Sequence, residues 1–291
     1  MEANLKIFMF GARRCGKSST LASMLSSLDT LDSHIKVDFT NEITKDYLKG
    51  KQAEMRRIFS SDNLNKGYWI DNGESGGSDM SIYSLDITIH DKLTFHVTCT
   101  DIPGEIVKND MSRLLDASGN SDVFVFAIDT PQLMENNYSG KLANFVDGFN
   151  DLCKILVTER GVRGKRIILV PLKCEKYIHE KRMNEVANKV KEAYGELIRL
   201  WKKIGKSDCF IVPVQTLGDL EFDHFEHIKK VGDIAYYRYC GNKNYSPRNC
   251  EQPFLYAIDY GINKLPWTEK PNAYKRILSK TVSFLNELFN G

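Results

Sequence analysis

Several things are missing from this sequence, and the absences narrow the class of protein. The longest strongly apolar stretch, around Val123–Ile128, is far short of the ~20 residues that span a bilayer, so no membrane partner is expected. Charge of one sign is not in excess: 40 Lys and Arg stand against 38 Asp and Glu, a net +2. A nucleic-acid partner is therefore not expected from global charge. No C-x-x-C pair occurs among the seven cysteines, and Glu2 leads into a strand-like run instead of a basic region with an apolar core. Both point to a reducing cytoplasm. Nor is there an internal repeat or low-complexity tract. What remains is 291 residues, 42% hydrophobic, enough to bury the core of one large domain or two small ones.

Short runs rich in Val, Ile and Phe alternate with segments of helical period, which argues for an α/β sheet covered by helices. "LKIFMF" (5–10) reads as a first strand. Leu21, Met24, Leu25 and Leu28 then recur at helical spacing just beyond a glycine-rich turn. From 29 to 80 the sequence turns polar, with a helix expected around Ile43–Phe59, and reads as an insertion. "SIYSLDITIH" and "LTFHVTCT" form a predicted hairpin, and "DVFVFAID", "RIILVPLK" and "CFIVPVQT" supply three further strands. One helix is expected with Leu142, Phe145, Phe149, Leu152 and Leu156 on a face, and a long one from Met183 to Trp201. Residues 217–267 are aromatic and loop-rich, a second insertion, before a last helix carrying Ile277, Leu278, Val282, Leu285 and Leu288.

The glycine-rich turn is "GARRCGKSS" (11–19), which fits G-x-x-x-x-G-K-[ST] between a strand and a helix. Such a loop turns successive backbone N–H groups toward phosphate oxygens, and the helix N-terminus adds partial positive charge. Gly11, Arg14, Cys15, Gly16, Lys17, Ser18 and Ser19 are the candidate phosphate-binding residues. Lys17 would reach the β and γ phosphates, and Ser18 would ligate Mg²⁺. "TDIPGE" (100–105) then places Asp101 at a strand end and Gly104 three residues on. In that D-x-x-G spacing the carboxylate holds Mg²⁺ and the glycine N–H senses the γ-phosphate; a plain Pro-Gly turn is the competing reading. "PLKCEKY" (171–177) offers Lys173 and Glu175. A carboxylate there can accept the paired N–H groups of guanine while a lysine stem packs along the base; an exposed charged loop reads equally well.

The order of phosphate loop, D-x-x-G, K-x-E and a late strand resembles the TRAFAC class of P-loop GTPases, with the Ras-like G domain as prototype. "GARRCGKSS", "VPLKCEKY" and "VPVQTLG" are more narrowly similar to a bacterial family of double-GTPase, conflict-system-associated GTPase-like proteins. The resemblance covers most of the chain. It implies one G domain over 1–291, with a three-layer α/β/α P-loop fold around a sheet of about six mostly parallel strands, one of them antiparallel. The two insertions are then 29–80, containing the switch I region, and 217–267. It also implies GTP or GDP with Mg²⁺, a GTPase activity, and a switch role toward a protein effector or regulator. A backbone N–H at Gln215, Thr216 or Leu217 would contact guanine O6, with Thr216 the central choice.

Three departures bear on catalysis. Glu105 stands where the class places a water-orienting glutamine, and its charge near the γ-phosphate predicts slow hydrolysis. No clean switch threonine follows the first helix; Ser75 and Ser78 are nearest. Leu172 replaces the usual polar residue before Lys173, and Glu175 is one methylene longer than aspartate. Arg13 is a candidate cis arginine finger, or with Arg14 a solvated loop charge. Cys15 reads as a redox handle with a lowered thiol pKa, or as a small tolerated residue.

Two weaker constellations lie in 217–267. His224, His227, Cys240 and Cys250 would make a zinc site, without the usual close cysteine spacing, or simply pack. Tyr236, Tyr237, Arg238, Tyr239, Lys243, Tyr245 and Arg248 interleave rings and bases, which suits a protein partner or lid surface. Two rival functions stand beside the switch: a nucleotide-binding scaffold without turnover, and a P-loop ATPase or kinase. The kinase reading wants an arginine-rich lid, whereas Arg160, Arg163 and Arg166 lead straight into a strand.

Overall fold

Successive residues of a strand face opposite sides of a sheet, and in the first strand both sides are apolar. In β1 (Glu2–Gly11) Ile7 and Met9 join one buried cluster, and Phe8 and Phe10 join another. A strand buried on both faces needs a layer of helices on each. The computed structural model describes residues 2–12, 15–31, 35–71, 80–89, 91–103, 106, 111–135, 140–228 and 232–265. It has that three-layer α/β/α architecture, the P-loop fold.

The main sheet takes in β1, β2 (Ile35–Phe39), β4 (Ser81–Ile89), β5 (Leu93–Pro103), β6 (Val123–Asp129), β7 (Arg166–Leu172) and β8 (Cys209–Ile211), in the order β2-β4-β5-β1-β6-β7-β8. Pairings from β5 through β1, β6 and β7 to β8 are parallel; β4 runs against both β5 and β2, so one strand is antiparallel to the rest. Strand β2 is the seventh strand, from within the polar segment 29–80. Its exposed alternate residues gave it no apolar run to be recognised by.

One face is covered by α1 (Lys17–Leu31), α2 (Glu42–Arg57) and α11 (Gln252–Lys264), and the other by α4 (Met111–Gly119), α7 (Val146–Thr158), α9 (Met183–Ala193) and α10 (Gly195–Lys203). The long helix expected over Met183–Trp201 is in fact two, α9 and α10, because buried Tyr194 leaves helical geometry at φ −105°, ψ 18°. Likewise the helix expected around Leu142–Leu156 breaks at Phe145, which adopts φ +52° between α6 (Gly140–Ala143) and α7. Helix α11 falls in the segment read as loop. Its residues Gln252–Ile262 are all buried. The helix expected around Ile277–Leu288 lies outside the described residues.

A second sheet, in the order β3-β10-β9, is antiparallel and joins β3 (Tyr68–Asp71) to β9 (Leu220–Ile228) and β10 (Gly232–Tyr239). Thus the two segments read as insertions meet. Its inner residues Trp69, Phe222 and Tyr237 share a cluster with Met55 and Ile58 at the end of α2 and with Leu217.

Gly11 ends β1 opposite Ala127 of β6, and a Cβ there would stand 2.7 Å from the Ala127 carbonyl oxygen and 2.9 Å from its Cβ. Only glycine permits this approach. Gly11→Val should cost about 2 kcal/mol or more and lower the melting temperature by several degrees in a thermal unfolding scan.

Candidate functional site

In open sheets of parallel strands, ligands bind beyond the carboxyl ends of the strands. Every described site residue read from the sequence lies along that edge. Gly11 closes β1, Asp101 lies near the end of β5, Lys173 follows β7, and Thr216 lies in the loop beyond β8. Register brings them together, for Met9 pairs with Asp101, Gly11 with Ala127 and Asp129 with Leu172.

The glycine-rich loop turns directly into α1. Gly16 holds φ +107°, a conformation L side chains rarely adopt, and its carbonyl accepts the Thr20 N–H at 2.8 Å to start the helix. Lys17 is buried and folds back over its own loop, donating to Gly11 O at 2.8 Å and Ala12 O at 3.1 Å. Ser18 Oγ donates to Asp101 Oδ2 at 3.1 Å. Asp101 Oδ1 is buried and accepts no hydrogen bond, with Lys17 Nζ at 3.8 Å. Burial pushes the Asp101 carboxyl above its ordinary pKa, and Lys17 and Ser18 pull it back only in part. A hydroxyl and a buried carboxylate oxygen without a donor are the hard oxygen ligands Mg²⁺ takes, so the residues fit that ion. Ser19 sits one turn in, its carbonyl accepting from Ser23 Oγ.

Of the two readings of Cys15, the structure favours the small tolerated residue. Its side chain is buried among β1, β6 and β7 residues, and burial raises its thiol pKa, with Lys17 opposing. A buried thiol of raised pKa is no redox handle.

The second half of the site surrounds Lys173. Its backbone holds φ +59°, and its ammonium donates to Asp129 Oδ2 at 2.8 Å and Asp71 Oδ2 at 3.4 Å beneath the Tyr237 ring, whose centroid is 5.8 Å away. Burial alone would lower its pKa; Asp129, Tyr237 and Asp71 outweigh that and hold it well above the ordinary lysine value. Asp129 is itself fixed, for its N–H and carbonyl both bond the Asn144 side chain and its other carboxylate oxygen accepts the Gln132 N–H.

Glu175 opens α8 (Glu175–His179), is buried, and accepts the backbone N–H of Leu217. Burial lifts its pKa to about 7 against the N–H groups of Leu217 and Gly218 and the charge of Lys173. The loop beyond β8 reaches it through Gly218, at φ +69°, where a Cβ would stand 2.4 Å from Ser246 N. Thr216 Oγ1 is buried and makes no hydrogen bond. Arg13, Arg14, Gly104, Glu105, Ser75 and Ser78 lie outside the described residues.

A family model described as Double-GTPase 2 matches residues 7–208. The chain belongs to that family. The matched span holds the phosphate loop, Asp101, Lys173 and Glu175, whereas Thr216–Gly218 and strands β9 and β10 lie beyond it. No curated protein sequence matches. Among solved structures the chain is similar to the crystal structure of Sup35 complexed with GDP, at 13% identity and a TM-score of 0.34, covering 75% of this chain and 38% of that one. So distant a likeness lends no weight to the site of this Double-GTPase 2 member.

Sequence reading missed Asp129 and Asp71, and gave Tyr237 to a partner or lid surface. The first left a signal, an acid ending the buried run "DVFVFAID" in register with Leu172. The other two arrive from distant segments. Other candidates dissolve: among the described residues no three His, Cys, Asp or Glu could hold a metal. His224 bonds Asp223 and stacks on Tyr236, and His227 bonds Asp233. The aromatic and basic run is divided, with Tyr237 inside and Arg238 exposed. Arg166 is buried against Asp259 and the Tyr256 carbonyl, so it belongs to no lid. Among the described residues no helix is long and apolar enough to cross a membrane.

Proposed function

We propose that this chain is a Mg²⁺-dependent guanine-nucleotide-binding protein that hydrolyses GTP slowly and serves as a switch for a protein partner. The observation that carries the reading is the pairing of the Glu175 carboxylate with the Leu217 N–H beside Lys173. Guanine presents an acceptor, O6, next to two donors, N1–H and N2–H; adenine presents the reverse. An N–H beside a carboxylate complements the guanine edge. Without a base the two satisfy each other, as buried polar groups must. Membership of a family named for GTPases supports the same assignment.

On this reading Lys17 exchanges the Gly11 and Ala12 carbonyls for β and γ phosphate oxygens, and the α1 N-terminus adds its partial charge. Ser18 and Asp101 are the residues that would hold Mg²⁺, which when bound neutralises charge on the phosphate oxygens. Gly104 would sense the γ-phosphate, Glu105 would orient water at the cost of added negative charge, and Arg13 would supply transition-state charge.

Isothermal titration with GTP in Mg²⁺ and in EDTA tests the metal assignment. The wild type should bind at least about tenfold tighter with Mg²⁺, and Asp101→Asn should erase most of that difference. An Asp101→Asn protein with an unchanged Mg²⁺ advantage rejects Asp101 as a metal residue. Phosphate release from bound GTP separates slow hydrolysis from a scaffold, which retains GTP intact.

A further inference from the structure

The second sheet touches the base-recognition elements at two points, and neither belongs to the phosphate-loop motifs. Asp71, the last residue of β3, pairs with the Lys173 ammonium at 3.4 Å. Tyr237 of β10 lies over the same ammonium and shares a cluster with Leu217, the residue whose N–H meets Glu175. Both contacts end on groups that the proposed function assigns to the guanine base.

Three features set this apart from ordinary packing. Lys173 holds a left-handed backbone at φ +59°, which costs a residue with a Cβ about 1–2 kcal/mol and persists only where the surroundings fix it. Its head is therefore held by a carboxylate on each side, Asp129 from the main sheet and Asp71 from the second. Tyr237 is only 1% exposed, and the charge nearest its hydroxyl is the Lys173 ammonium, which opposes the rise that burial imposes on the hydroxyl pKa. A ring needed for packing alone would be served as well by phenylalanine, which has no hydroxyl to set against the ammonium.

We propose that Asp71 and Tyr237 are positioning residues for guanine recognition: the second sheet clamps the Lys173 ammonium so that the lysine stem and Glu175 form one fixed wall for the base. The inference rests on the guanine reading of the site. It gives the two separated segments one task, because 29–80 supplies Asp71 and 217–267 supplies Tyr237. It also makes Trp69 a built-in reporter, since its ring lies 5.5 Å from that of Tyr237 in the same inner layer.

The test measures GDP and ADP affinity by isothermal titration for the wild type, Asp71→Asn, Asp71→Glu and Tyr237→Phe, with melting temperatures alongside. Asp71→Asn should weaken GDP binding about tenfold, and Asp71→Glu, which keeps the charge, should recover most of it. Tyr237→Phe should weaken GDP binding without lowering the melting temperature. GDP should also change the Trp69 emission of the wild type, and that change should vanish in Trp69→Phe. A merely structural role gives another pattern: the two Asp71 variants lose melting temperature alike and bind GDP as the wild type does. That pattern overturns the clamp and leaves the guanine reading intact. A wild type that binds ADP as tightly as GDP overturns both.

Discussion

Replacing Lys17 with alanine should weaken GDP and GTP binding by about a hundredfold or more, the largest effect expected of any single change in this chain. The ammonium is buried at the end of β1 and donates to two loop carbonyls with Asp101 at 3.8 Å. On the proposed reading, phosphate oxygens take the place of those carbonyls when nucleotide binds. Truncating one partner of a buried, hydrogen-bonded charge pair costs about 2–5 kcal/mol, and each ~1.4 kcal/mol is tenfold in affinity. Lys17→Arg should fall between, since its planar fork cannot reproduce a point charge inside a closed loop. Isothermal titration reads the affinity, and a thermal scan establishes that the variant is folded. Wild-type affinity in Lys17→Ala would remove the phosphate from this loop.

The second large effect belongs to Glu175→Gln. Glutamine keeps an oxygen for the Leu217 N–H, so the loop beyond β8 stays joined to α8, but the acceptor charge for guanine N1–H and N2–H is gone. A paired contact of this kind discriminates between bases by about 1–3 kcal/mol, so the GDP-to-ADP preference should shrink about 10- to 100-fold. The pKa of about 7 adds a pH signature. Guanine needs the carboxylate, so below about pH 7 the GDP-to-ADP preference should fall by up to about tenfold per unit; taking the ratio cancels titration of the phosphates. The stability of the nucleotide-free protein should move the other way. Its Glu175 pKa is raised above the ordinary 4.5, so the folded state binds more protons between 4.5 and about 7. This contribution is fully present below about 4.5 and is lost as pH rises toward 7 and beyond. Both trends should be absent from Glu175→Gln.

The strand-end placement of the glycine-rich loop, Asp101 and the Lys173–Glu175 pair was legible because each is a local pattern at the end of an apolar strand, where neighbouring residues decide the geometry. Strands β6 and β7 were legible for the same reason: buried on both faces, they read as unbroken apolar runs. The second sheet was hidden by distance. Strand β10 pairs with β3 across most of the chain, and β9 alternates Phe222 and Phe225 with Asp223, His224 and Glu226, a pattern that reads as polar loop. Because Asp71 and Tyr237 reach Lys173 only through that pairing, the clamp on the base motif could not be read from either segment alone. Helix α11 was passed over for another reason: its period lies inside a stretch whose many aromatic and turn-forming residues read as loop. The altered base motif also reads differently in place. Leu172 ends β7 in register with Asp129, so the partner of Lys173 comes from a neighbouring strand.

The most direct test of the central claim is a pair of isothermal titrations of the wild-type chain in Mg²⁺ at pH 8, one with GDP and one with ADP. The account predicts one site per chain for GDP and binding of ADP weaker by at least tenfold. Equal affinity for the two, or no binding of GDP, would contradict it.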